Sequence, residues 1–213
     1  DVHQKTIDAA QRLLGWTDPE ICAGRTGLEL FGGAVMDLHD VAAQLIPERR
    51  ANPGDDLLTW MVQAEFDGKK MTDDELKAFF VLLAVAANDP TRHASAHAIY
   101  ALSKFPAQRD LLVADVPGRV GTAVEEVLRW ASPLLHMRRT ATQDFTLGDK
   151  EIKAGDKVVL WYISGNRDED VFVDPFTFDI LRNPNPHIAF GGGGPHFCLG
   201  AALARTTLKS LST

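Results

Sequence analysis

The sequence predicts a mainly α-helical fold with a small β-sheet. Apolar residues recur at helical spacing through most of the stretch from Val2 to Ala131, and Pro-, Gly- or Asn-bearing breaks separate the runs. After Ser132-Pro133 the composition turns to short β-branched and aromatic runs. From 165 to 197 periodicity is lost and Gly, Pro, Asn and Asp are frequent.

The first helical pattern runs from Val2 to Trp16 and is broken by Asp18-Pro19. The second runs from about Gly27 to Arg50 and stops at Asn52-Pro53-Gly54, and a third covers Asp55 to Glu65. Thr72 and Glu75 have the spacing of a capping box and open a long pattern that lasts to Phe105, before Pro106. At 1.5 Å per residue this helix is roughly 48 Å long. Pro90 lies inside it, removes one backbone donor and presses on the carbonyl of Ala86, which predicts a kink or an opened turn. Two more helices fit Ala107 to Ala114 and Val120 to Ala131. Phe145 to Leu147 and Lys157 to Ile163 read as strands, and a last helix, Leu199 to Leu211, follows Cys198.

With 213 residues the chain can bury one sizeable core or two small ones. A net charge of −7 and the lack of a Lys/Arg block exclude the electrostatic attraction that nucleic acids and anionic membranes require. The apolar run Phe79 to Ala87 is far shorter than the roughly 20 residues of a membrane span, and no signal-peptide pattern opens the chain, so the expected location is cytoplasmic. Cys22 and Cys198 are then expected as free thiols or ligands, Cys22 in a loop. Asp1 opens the chain inside an apparent helix and Thr213 closes it inside another, which suggests that both ends are cut.

Residues 190 to 200 read F-G-G-G-G-P-H-F-C-L-G. Four glycines cost backbone entropy and offer nothing to a core, so the run points to φ > 0 or to a close approach by a ligand. A phosphate cradle would need the Lys-Ser/Thr that completes a phosphate loop, which is missing; a plain turn remains open. Cys198 at a helix start is placed to be a thiolate. A nucleophilic role would need a His–carboxylate arrangement, and none is identifiable from spacing, whereas haem iron takes a thiolate ligand and needs bare backbone against the macrocycle.

The set Phe190, Gly194, His196, Cys198 and Gly200 resembles the cysteine-ligand loop of the cytochrome P450 family, the haem-thiolate monooxygenases. The resemblance implies haem b as cofactor, Cys198 as its iron ligand, His196 as a propionate partner, and Gly200 as the point where the next helix nears the porphyrin. The spacing departs from the family by one residue, since Phe190 stands eight rather than seven positions before Cys198. Glu126-Val-Leu-Arg129, in isolation a surface ion pair worth about 0.3–0.5 kcal/mol, is followed by Asp174 to Arg182 in the family's order. Glu126, Arg129 and Arg182 are then expected to form a buried structural network behind the haem, and Arg139 falls where the family places a second propionate partner.

Ala86 to Arg92 alone reads as a Pro-bearing core helix. In the family the equivalent segment opens a groove where oxygen binds, with an acid and a threonine relaying protons. Here Asp89 keeps the acid, Ala87 replaces the glycine, and Pro90 stands where the hydroxyl belongs, leaving Asp89, water or Thr91 to deliver protons and implying slow or leaky turnover. His93 and His97 lie one turn apart, but no third ligand is indicated.

The resemblance spans Val2 to Thr213, from the family's sixth lettered helix to the helix after the cysteine, in a fold truncated at both ends. Its nearest look is to the actinobacterial branch that oxidises methyl-branched lipids and sterol side chains, through Val124 to Trp130, Met137 to Thr142 and Asn183 to Gly194. Family members are about twice as long, so an N-terminal fragment is an expected partner. The implied function is hydroxylation of an unactivated C–H bond in an apolar substrate, with O2 and electrons from a ferredoxin. Leu134-Leu135 and the alanines at 84, 86 and 87 are the apolar surface expected to face that substrate. The alternative is a non-catalytic remnant lacking half the haem pocket and the relay threonine.

Overall fold

A computed structural model describes residues 2–211. Asp1 and Thr213, with the expectations attached to them, lie outside the described residues. The chain divides into two compact units, one up to Asp89 and one from Pro90 onward.

In the first unit, α1 (Val2–Leu14) packs on α3 (Gly27–Ala51), and Ala9, Ala10, Leu30, Ala34 and Leu38 are all buried. Between them α2 (Pro19–Cys22) is a single turn capped by Asp18, whose carboxylate accepts from the Glu20 amide. Cys22 therefore ends a helical turn rather than lying in a loop, and its thiol donates to the Trp16 carbonyl at 3.2 Å. Helix α3 has a full capping box between Thr26 and Glu29 and runs through Pro47. Helix α4 (Leu57–Gln63) contributes Met61 and Val62 to a core with Ala42, Ile46 and Leu76. A minimal hairpin, β1 (Glu65–Phe66) and β2 (Lys69–Lys70), turns at Asp67-Gly68, both at positive φ.

Helix α5 (Asp73–Lys104) starts at the expected box, since the Thr72 amide and hydroxyl both donate to Glu75, and it ends before Phe105. It stays helical through Pro90, so the opened turn expected there does not interrupt it. One missing hydrogen bond in 32 residues is a small fraction of the helix's backbone bonding.

In the second unit, α6 (Pro106–Ala114) and α7 (Val116–Ala131) both begin earlier than the apolar pattern indicates. Asp115 caps α7 through the Gly118 amide, and Pro117 fills the first turn, where its missing N–H has no helical partner to lose. Two antiparallel ladders follow in place of one small sheet. β3 (His136–Thr140) pairs with β6 (Lys157–Trp161), and β4 (Phe145–Leu147) with β5 (Lys150–Ile152). The strand expected to reach Ile163 stops at Trp161, where α8 (Tyr162–Gly165) turns the chain inward. After an irregular stretch comes α9 (Ala201–Leu211).

Two apolar clusters flank α7. Ala123 and Val127 pack with Ala101, Leu112, Phe178 and Ile180, while Val124 and Leu128 pack with Ala94 and Leu208 and against Phe190. The helix is thus apolar on two sides, and its charged residues project between them. Among the described residues no helix is long and apolar enough to cross a membrane.

Candidate functional site

Glu126 and Arg129 lie one turn apart on α7, and both side chains are fully buried. The Arg129 guanidinium has five N–H donors, and each finds an acceptor. Nε donates to Glu126 Oε2 at 2.8 Å and Nη2 to Glu126 Oε1 at 2.8 Å; the second Nη2 donor reaches the Thr177 carbonyl at 3.0 Å. Nη1 donates to the carbonyls of Asn166 at 2.8 Å and Pro175 at 2.7 Å. Phe172 lies against the same cation, its ring centroid 5.2 Å from the guanidinium carbon.

The structure brings Arg182 to the same carboxylate. Its Nε donates toward Glu126 Oε2 at 3.2 Å, and its other donors take the carbonyls of Val173, Asp174 and Thr177. The Asp179 amide and the Asn185 side-chain amide also donate to the Glu126 carboxylate. Buried charges persist only when paired and hydrogen-bonded in this way. Asn166, fully buried, extends the network by donating to the Ser132 hydroxyl and accepting from the Ile188 amide. The irregular segment from 165 to 190 is therefore held to α7 by polar contacts as well as by the packing of Phe178 and Ile180.

Beyond it the chain enters the glycine run. Gly191, Gly193 and Gly194 adopt φ of 94°, 88° and 88°, in the region that side-chain-bearing residues rarely enter. At Gly192, Gly193, Gly194 and Gly200 an added Cβ would meet nothing within 4 Å, so these positions present open backbone. The loop closes when the Cys198 amide donates to the Phe190 carbonyl at 3.0 Å and the Phe197 amide to the Gly194 carbonyl at 3.0 Å. Cys22 and Cys198 are both free thiols, and Cys198 is exposed, flanked by exposed Phe197 and Leu199. Helix α9 begins at Ala201 rather than at Leu199, because Cys198, Leu199 and Gly200 form a turn in which the Ala201 amide bonds the Cys198 carbonyl. Cys198 therefore precedes the helix by a turn.

A second charged group, not foreseen from the sequence, stands behind this loop. Glu125 accepts from Arg205 Nε at 2.7 Å and Nη2 at 2.8 Å, and from His187 Nε2 at 2.9 Å. This is a His–carboxylate arrangement that spacing could not reveal, because its members are 62 residues apart. Burial pushes the Glu125 carboxyl up, but the hydrogen bonds from His187 and Arg205 and the Arg205 charge outweigh it and hold it at about 2, below its ordinary 4.5. The hydrogen bond to Glu125 in turn raises Arg205 above its ordinary range; burial opposes this, and the charge of Glu125 adds to it.

The remaining expected residues are placed separately. Arg139 is exposed on β3, where its Nη1 donates to the Arg138 carbonyl, and His196 is exposed in the loop. Asp89 and Thr91 are half-buried on α5 either side of Pro90, and the Thr91 carbonyl accepts from the Ser95 hydroxyl. His93 and His97 are exposed on the same helix, and Leu135 is exposed at the start of the β3 ladder.

The family model for cytochrome P450 matches residues 120–213. A methyl-branched lipid omega-hydroxylase of Mycobacterium tuberculosis is 48% identical over 97% of this chain and 48% of its own length. A steroid C26-monooxygenase of the same species is 46% identical over 96% of this chain and 46% of its own. Among solved structures, Mycobacterium marinum cytochrome P450 CYP268A2 in complex with pseudoionone superposes with a TM-score of 0.93 at 51% identity, covering 98% of this chain and 50% of that one. CYP109E1 from Bacillus megaterium in complex with testosterone gives 0.82 at 38% identity, covering 87% of this chain and 51% of that one. The chain thus spans about half the length of the relatives it matches. By sequence and by fold, the chain belongs to the cytochrome P450 family.

Proposed function

We propose that the chain serves a haem-thiolate monooxygenase that hydroxylates an unactivated C–H bond of an apolar, lipid- or sterol-like substrate. The observation that carries this reading is the Cys198 loop. An exposed free thiol stands on a turn whose amide is tied back to Phe190, beside open glycine backbone and exposed apolar side chains. That donor set suits haem, because a soft sulfur meets iron, bare backbone and apolar groups meet a flat macrocycle, and cations meet its carboxylates.

In this reading Cys198 holds the iron as thiolate, Phe190 and Gly200 frame the sulfur, and Arg139 and His196 pair with the propionates. When bound, haem supplies the redox chemistry that inserts one atom of dioxygen into the substrate while the other leaves as water, with electrons from a ferredoxin-type donor. The Glu126–Arg129–Arg182 network holds the 165–190 segment rigid and touches no substrate. Asp89 and Thr91 hold and pass protons in this reading, since Pro90 has no side-chain donor or acceptor. The lipid and steroid names of the two mycobacterial relatives support the apolar substrate class.

The test is spectroscopic. Haem added to the purified chain and reduced under carbon monoxide is expected to give the red-shifted Soret band of thiolate ligation, and Cys198→Ala is expected to lose it. A wild-type chain that shows no such band ends the claim of activity for these residues alone. Pro90 favours a second reading, a haem-binding chain with little productive turnover. In a reconstituted enzyme, Pro90→Thr should raise product formed per electron consumed; an unchanged ratio removes the relay argument.

A further inference from the structure

The glycine run cannot order itself. At Gly192, Gly193 and Gly194 there is no packing within 4 Å of where a side chain would begin, and three glycines of the run are at positive φ. Apart from the backbone bonds of Phe197 to Gly194 and Cys198 to Phe190, the loop is held at its two flanks, and a single carboxylate grips both.

On the flank that precedes the loop, His187 is nearly buried, with 3% of its side chain exposed, and points Nε2 at Glu125. Its tautomer is set by the backbone, because the Ala189 amide donates to Nδ1 at 3.2 Å and leaves the neutral ring's proton on Nε2. On the flank that follows, Arg205 projects from α9 and forms a two-pronged pair with the same carboxylate. Both partners then meet at Phe190. The guanidinium carbon of Arg205 lies 4.4 Å from the centroid of its ring, and the His187 ring centroid is 6.0 Å away. The carbonyl of Phe190 accepts the Cys198 amide.

We propose that Glu125 is the positioning residue of the Cys198 loop: by holding His187 and Arg205 against Phe190, it fixes the carbonyl that anchors Cys198. The proposed function supplies only what the sulfur is for; the ordering of the loop requires no haem. Glu125 and Glu126 are therefore neighbours with separate tasks. Glu126 closes a buried network with Arg129 and Arg182, and Glu125 ties α7 to α9 and to the segment that leads into the ligand loop.

Amide hydrogen exchange of the chain without haem tests this. In Glu125→Ala, exchange of the Cys198 and Phe197 amides should rise about tenfold or more. The amides of Asp179, bonded to Glu126, and Tyr162, bonded to Leu135, should not change. Glu125→Gln, which keeps an acceptor oxygen but loses the charge, should fall between wild type and Ala. Should Glu125→Ala fail to fold, Arg205→Lys replaces it, keeping the charge but losing the two-pronged geometry, and the same loop-confined rise is expected. Acceleration at all four amides alike, or no acceleration at Cys198, overturns the proposal. In the haem-loaded protein, Glu125→Ala should also move the carbon monoxide Soret band from the thiolate toward the thiol position. A wild-type chain that takes up no haem would sink the proposed function, while the exchange pattern would still decide the role of Glu125.

Discussion

Around Glu126 each N–H of Arg129 meets an oxygen supplied by the chain, and no part of either side chain reaches solvent. Around Cys198 the reverse holds: the thiol, His196, Phe197 and Leu199 are exposed, and the glycines leave open backbone. The two regions belong to one unit, and the stretch from 165 to 190 leads from the first into the second. A closed set of charges is committed to structure, because every group in it has its partner. An exposed set of soft, cationic and apolar groups is available for chemistry. Removing a residue from the first should therefore be felt as stability, and removing one from the second as lost binding.

The largest effect is expected from Arg129→Ala. It takes two charged donors from a buried carboxylate and leaves the buried carbonyls of Asn166 and Pro175 without their Arg129 donors, and breaking a buried pair on one side costs about 3–5 kcal/mol. Urea unfolding should report a loss of that size, and Glu126→Ala should match it. Arg182→Ala should cost less, because its side chain retains 10% exposure and its Nε bonds are longer, at 3.2 and 3.4 Å. A loss below 1 kcal/mol on removing Arg129, a limit typical of surface pairs, would contradict the division of labour.

How much of this was legible in the sequence follows from distance along the chain. Glu126 and Arg129 share a helix face by spacing alone, but spacing could not tell a buried pair from a surface one. Burial is decided by carbonyls at 166, 175 and 177, in a stretch without periodicity. The Thr72 capping box was visible because its bonds close within four residues. Asp67-Gly68 is a hairpin signal, but it spans two residues and stands beside stronger helical patterns. Glu125, His187 and Arg205 are far apart in sequence, and each alone is an ordinary polar residue. The apolar pattern begins at Leu199, two residues before α9, because the turn at Cys198 has its own bonds.

The next effect is a pH dependence carried by Glu125. Glu125 titrates at about 2 in the folded chain against an ordinary 4.5, so the folded state binds fewer protons in that interval. Its contribution is present above about pH 4.5 and is lost as pH falls toward about 2. After allowance for solvent screening of a side chain 27% exposed, that contribution is on the order of 1–2 kcal/mol. Urea unfolding at about pH 5 and about pH 3 should show wild type losing more stability than Glu125→Gln. Equal losses would mean that the carboxylate does not carry the pair.

A smaller effect comes from the glycines. Gly191 has φ of 94°, so Gly191→Ala should cost about 1–2 kcal/mol through backbone strain alone. No atom lies closer than 3.8 Å to the added Cβ, which leaves strain as the only cause. Gly192 has no positive φ and nothing within 4 Å, so Gly192→Ala should leave stability unchanged or slightly raised by lower unfolded-state entropy. Two adjacent substitutions of the same chemistry with different outcomes would show that the run is specified residue by residue.

The smallest change in stability is expected from Cys198→Ala. The side chain is exposed, so its removal opens no cavity, and the bond that anchors the loop runs from the Cys198 amide, which Ala keeps. Unfolding free energy should move by less than about 0.5 kcal/mol, as for surface substitutions away from special contacts. The Arg205–Glu125 pair does not depend on the sulfur, because the hydrogen bond to Glu125 is the largest influence on Arg205, and the ion pair should persist. Exchange at residue 198 should therefore stay slow in Cys198→Ala while thiolate-type haem spectra disappear. An unstable Cys198→Ala protein would place the sulfur among the groups that hold the fold, and the contrast with the Glu126 network would fail at its exposed end.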